Sequence, residues 1–172
     1  MALIPFSKKK EGISLHFYNN DEPDDWTMKL ARIKPLLSFT GPTEQVMGIG
    51  SVNELCKILI ELCCSGEKVL KIRHLILEGH GNEFGFSIGK DKITLETFHK
   101  YSFHFLSLMP LFTRDAVITL DQCETGNEEE LLKMVSNAFG GVTVKAYTGE
   151  TRVIRPNAPG KWVTCVLNKC SS

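Results

Sequence analysis

V-L-K-I-R-H-L-I-L-E-G-H-G, residues 69–81, is the stretch whose reading decides the fold. The run Val69 to Leu77 is short and rich in Ile, Leu and Val, the pattern of a strand buried inside a parallel sheet. It ends in Glu78-Gly79-His80-Gly81, so a strand delivers His80 to a loop. A second run of the same kind, Ala116 to Leu120, passes into Asp121-Gln122-Cys123-Glu124-Thr125-Gly126 and delivers Cys123 to another loop.

Outward from these two runs, helix and strand signals alternate. Ser51 and Glu54 form a capping box, Val52, Leu55, Cys56, Leu59 and Cys63 share one helical face, and Gly66 follows as a stop. Cys56 and Cys63 therefore read as core. Thr94 is expected to cap a helix turning Leu95, Phe98, Phe105 and Leu106 inward, with Pro110 past its end. Asn127 is expected to cap the next helix, with Glu128, Glu129 and Glu130 in its first turn and Gly140-Gly141 closing it. Val142 to Tyr147 reads as a strand, Thr148-Gly149 as a turn and Trp162 to Leu167 as an edge strand. Near the start, Ile13 to Tyr18 alternates like a strand, and Asp24 and Asp25 can cap a helix carrying Trp26, Leu30 and Ile33 that Pro35 ends.

This alternation predicts an α/β fold: a doubly wound, mostly parallel sheet with helices on both faces. Residues 1–172 read as one domain, with 1–10 (Ser7, Lys8, Lys9, Lys10) a frayed basic tail. Lys plus Arg and Asp plus Glu are equal at 20 each, so no global field draws the chain to nucleic acid or to an anionic membrane. No apolar run approaches the ~20 residues that span a bilayer, and Ala2 to Phe6 is too short for a signal-peptide core. The expected setting is cytoplasmic, or another cell reached by a route that needs no cleaved signal peptide. The cysteines (56, 63, 64, 123, 165, 170) show no repeating spacing and read as reduced thiols. Neither C-x-x-C nor H-x-x-x-H occurs to seed a zinc site, so no metal or cofactor is expected.

Ligands of such sheets bind beyond the carboxyl ends of the strands, where both His80 and Cys123 are expected. A thiol reacts as thiolate and needs a base or a positive local field. His80 can take the proton, and the helix expected near Asn127 points its positive end back at the Cys123 loop. Gly81 leaves room for a backbone N–H to face a developing oxyanion, with the Cys123 N–H as second donor. Taken singly, Cys123 reads as packing and Gly-His-Gly as a tight turn; at the ends of two consecutive strands they form a pair.

The motifs L-I-L-E-G-H-G (75–81) and V-I-T-L-D-Q-C-E-T-G (117–126) resemble the caspase-like cysteine peptidases: legumains, metacaspases and the self-processing protease domains of bacterial toxins. The second is similar to the legumain pattern C-E-S-G and the metacaspase pattern D-x-C-x-S-G, with Thr125 in place of serine. The resemblance covers residues 69 to about 149 and implies the caspase-hemoglobinase fold. By it, His80 is general acid/base, Cys123 the nucleophile, and Gly81 and Cys123 supply the oxyanion donors. It makes Asp121 a residue lining the pocket for the side chain before the scissile bond, and a carboxylate there favours Arg or Lys. Glu150 is the further pocket candidate, and Glu78 a weaker one for orienting His80. The expected substrate is a peptide or protein, self-processing included. Two other readings stay open: an inactive caspase-like binding or effector module, and a small-molecule acyl hydrolase or transferase.

Overall fold

A computed structural model of the chain describes residues 12–20, 45–151 and 159–172. The helix expected after Asp24 and the basic stretch Ser7–Lys10 lie outside them. In chain order the strands are β1 (Ile13–Asn19), β2 (Gln45–Ile49), β3 (Ile72–Glu78), β4 (Gly81–Asn82), β5 (Gly85–Ile88), β6 (Asp91–Thr94), β7 (Phe112–Asp121), β8 (Thr143–Tyr147), β9 (Trp162–Val166) and β10 (Lys169–Ser171). Among the described residues three α-helices accompany them: α1 (Val52–Cys64), α2 (Ser102–Leu108) and α3 (Glu129–Ala138).

Seven strands form one sheet in the order β10-β9-β8-β7-β3-β1-β2. The five from β8 to β2 run parallel, and β9 and β10 are antiparallel additions. The expected α/β class with a mostly parallel sheet is therefore what the chain adopts. The register explains why apolar runs became strands. Leu15, Leu75, Ile118, Val144 and Cys165 align across five strands, and Phe17, Leu77, Leu120, Ala146 and Val163 form the next row. No member of either row is more than 4 % exposed. Side chains alternate across a strand, so these rows make one continuous apolar face.

The helices cover that face. α1 packs on α2 and α2 on α3, while α3 also packs on β8 and β9, so the three lie side by side in one layer. Among the described residues the helices lie on this face, and the helix expected after Asp24 falls outside them. His74, Ile76, Val117, Thr119, Thr143 and Thr164 alternate to the other face and are half-buried, while Lys145 there is exposed. In α1 half of the capping box forms as read: Ser51 Oγ accepts from Glu54 N–H at 3.1 Å, whereas Glu54 Oε2 accepts from Gly50 N–H, one residue before the cap, at 2.7 Å. Val52, Leu55, Cys56, Leu59 and Cys63 are all buried. Phe105 of α2 stacks on Phe139 at 5.1 Å, and Phe112 meets Phe139 edge-on at 5.2 Å, which ties α2 and α3 to the start of β7.

Four local expectations are corrected. Thr94 ends β6 instead of capping a helix; it exchanges hydrogen bonds with Thr97, a 3₁₀ turn covers Phe98–Lys100, and α2 starts only at Ser102. Phe98 and Phe105 are buried as expected, but Leu95 and Leu106 are 40 % and 50 % exposed. Asn127 closes a 3₁₀ turn (Thr125–Asn127) and donates to Thr148 O at 3.0 Å; α3 begins at Glu129 with no side-chain cap. β9 is not an edge, because β10 pairs outside it. Finally, Cys165 and Cys170 are joined as a disulfide, and the other four cysteines are free. The two stand directly opposite each other in the β9–β10 hairpin, a relation that linear spacing does not advertise. Among the described residues no helix is long and apolar enough to cross a membrane.

Candidate active site

The site grows from the register of β3 and β7. These neighbours run in step to their ends, with Leu77 opposite Leu120 and Glu78 opposite Asp121. His80 and Cys123 each follow two residues later, so two loops leave adjacent strands, about 4.8 Å apart, at the same height. Sequence reading expected His80 and Cys123 at one rim, and the register sets their two loops side by side.

Two devices hold the loops against each other. The first is Gln122, 0 % exposed, whose Oε1 accepts from Ser87 N–H at 2.9 Å while its Nε2 donates to Ser87 O at 2.8 Å. Ser87 in turn donates to His80 O from its N–H at 3.0 Å and from its hydroxyl at 2.7 Å. A chain of hydrogen bonds thus runs from the residue before the thiol to the carbonyl of the histidine. Asn19, at the end of β1, joins it by donating to Ser87 Oγ at 2.8 Å and accepting from Gly89 N–H at 2.7 Å. The second device is close packing at Gly81. A Cβ there would collide with Thr125 Oγ1 and stand 2.7 Å from Cys123 O and 2.9 Å from Gln122 Cβ, so only glycine lets the histidine loop lie on the cysteine loop.

On its other side the cysteine loop rests on the end of β8. Glu124 N–H donates to Gly149 O at 2.9 Å. A Cβ on Gly126 would be 2.7 Å from Tyr147 C and 2.9 Å from Thr148 N, which accounts for glycine at the close of C-E-T-G. Thr125, fully buried, sets its hydroxyl 3.3 Å from Cys123 O. Glu124 takes φ 55°, a left-handed conformation uncommon outside glycine and a mark of a turn held by its surroundings.

The Cys123 thiol is partly exposed, and its Sγ lies 3.8 Å from both the carbonyl and the hydroxyl oxygen of Thr151. Its surroundings differ from those of the core thiols. Burial pushes the Cys56 thiol up to about 11, and burial, followed by the neighbouring Cys64, raises Cys63, so both stay protonated and inert. His80 is exposed at the rim, with its backbone fixed beneath it.

Of the other expected site residues, Asp121 ends β7 half-buried, on the sheet face opposite the helices by strand alternation. Glu150 is exposed between Gly149 and Thr151, both of which touch the cysteine loop, so it stands at the same rim. Glu78 Oε2 is 2.8 Å from His16 Nε2, and both side chains are 4 % exposed. Gln122, Ser87, Asn19 and Thr151 escaped sequence reading. The alternation Phe86-Ser87-Ile88 between Gly85 and Gly89 was the one available signal for β5 and hence for Ser87.

Among the described residues no group of three or more His, Cys, Asp or Glu is placed to hold a metal ion. No protein-family model and no curated protein matches the chain.

Proposed function

We propose that the chain is a cysteine peptidase of the caspase-like class, built on a doubly wound sheet of the caspase-hemoglobinase type, that hydrolyses peptide bonds after Arg or Lys. One observation carries this reading: His80 and Cys123 stand two residues beyond the same register pair, Glu78–Asp121, on loops bonded to each other through Gln122 and Ser87. A core cysteine would need no such arrangement.

In this reading His80 removes the thiol proton and the Cys123 sulfur attacks the scissile carbonyl carbon. His80 then gives the proton to the leaving amine, and water hydrolyses the thioester with His80 as base. The oxyanion donors are the N–H groups of Gly81 and Cys123. Ladder geometry supports Gly81: Ser87 N–H bonds His80 O, so the adjoining pair Gly81–Phe86 is the type whose N–H groups turn away from the partner strand. Asp121 supplies the carboxylate that pairs with the basic residue before the scissile bond, and Glu150 extends the negative rim.

Replacing Cys123 with Ala is expected to abolish hydrolysis of Arg- or Lys-containing peptides and labelling by an electrophilic peptide probe, without loss of fold. Wild-type protein that neither cleaves nor labels, yet retains a partner whether or not Cys123 is present, would overturn the peptidase in favour of a binding module.

A further inference from the structure

A cleft opens beside His80. Its walls include His80, Gly81, Phe86, Lys90, Lys92 and Thr94, and none of residues 121–124 lines it. Lys92 and Thr94 are spaced by two on β6, so strand alternation sends both the same way, and Lys90, in the turn before β6, joins them on the wall. The intervening residues go the other way: Asp91 Oδ2 accepts from Val52 N–H at 2.8 Å at the start of α1, and Ile93 is fully buried. The cleft wall is therefore cationic, and among the described residues no carboxylate lines it.

From this geometry, and resting on the peptidase reading above, we infer that the cleft selects substrates with acidic residues just after the scissile bond. The direction follows from the chemistry. His80 must hand its proton to the leaving amine, so the chain that begins with that amine departs on the histidine side of the sulfur. His80 lines the cleft and none of residues 121–124 does, so we assign the cleft to that side. Two exposed lysines on one wall attract Asp or Glu there and repel Lys or Arg. The preferred sequence is a basic residue, the cut, and one or two acidic residues. Asp121 with Glu150 reads the first part, and Lys90 with Lys92 reads the second.

Three quenched fluorescent peptides test this, identical up to an Arg and followed by Asp-Glu, Ser-Ser or Lys-Lys. Wild-type protein is expected to cleave the acidic peptide with kcat/KM roughly threefold to tenfold above the neutral one, the range that one or two exposed ion pairs supply. The preference should shrink as salt rises toward 1 M, where the screening length falls to about 3 Å. Lys90→Glu with Lys92→Glu should reverse the order, and Lys90→Ala with Lys92→Ala should level it, both melting as wild type does. Equal cleavage of all three peptides, or an acidic preference that survives Lys90→Glu with Lys92→Glu, overturns the inference and leaves the peptidase standing. Failure to cleave any of them, with Cys123 unlabelled, overturns both.

Discussion

Replacing Gln122 with Met separates a coupled pair of loops from two loops that merely lie close. The amide is 0 % exposed and makes two hydrogen bonds to the Ser87 backbone, at 2.9 and 2.8 Å. Methionine has a similar volume and no amide, so the change removes both bonds without opening a large void. The bonds contribute about 1 kcal/mol each. Ser87 O, left without this donor, adds about 1–2 kcal/mol of desolvation, whereas Ser87 N–H keeps His80 O as an acceptor and adds little. The sum, about 3–4 kcal/mol, is a large share of the ~5–15 kcal/mol that holds a typical domain folded. Urea titration should show a lower midpoint at unchanged slope. In undenatured protein, labelling of Cys123 by an electrophilic peptide probe at neutral pH should slow by roughly tenfold or more, as expected when a catalytic group is misplaced by about 1 Å. A variant within about 0.5 kcal/mol of wild type that labels at the wild-type rate would show that Gln122 does not hold the two loops in relation.

Gly126→Ala should cost about 1–3 kcal/mol, because the new methyl would press on the Tyr147–Thr148 backbone, and a two-state melt would register it. His74 gives a pH prediction. Burial, then Lys145, Arg73 and His16, lowers its pKa in the folded protein, so the unfolded chain binds more protons and stability rises with pH. The stabilisation by the neutral ring is complete above the unfolded value near 6.5 and is lost as pH falls toward the folded value; His74→Gln should remove that part of the acid sensitivity in denaturation curves at pH 5 and 7.5. For the cysteines, alkylation in denaturant without reductant should modify four thiols, and six would refute the Cys165–Cys170 pairing. Cys170→Ser should lower stability by about 2 kcal/mol from the loop-closure relation.

The sequence made the large elements legible because their signals are summed over many residues. Five apolar positions on α1 and the buried runs of β3 and β7 leave little freedom in where each face points. The side-by-side placing of the His80 and Cys123 loops was legible for a related reason: both follow such runs, so their place is fixed by counting from a strand end. What was hidden depends on partners distant in sequence. β4 to β6 are two to four residues long, too short for a period to show, and exist through their pairing with one another. Thr94 and Asn127 have good capping chemistry yet are used otherwise, because Thr97 and Thr148 O compete for them. Gln122 is an ordinary polar residue until a strand 35 residues away supplies the backbone groups that its amide fits.

The shared rung Glu78–Asp121 also sets where this chain can change length. One residue added between Leu77 and His80, or between Leu120 and Cys123, would carry the histidine or cysteine side chain ~3.3 Å onward and turn it to the reverse side of the sheet. Those two three-residue stems act as fixed rulers. The stretch joining α2 to its neighbours, some distance from either stem, is under no such metric and can lengthen or shorten at small entropic cost. Variants of this protein can therefore diverge widely in the separation of histidine from cysteine while the distance of each from its own last rung stays constant.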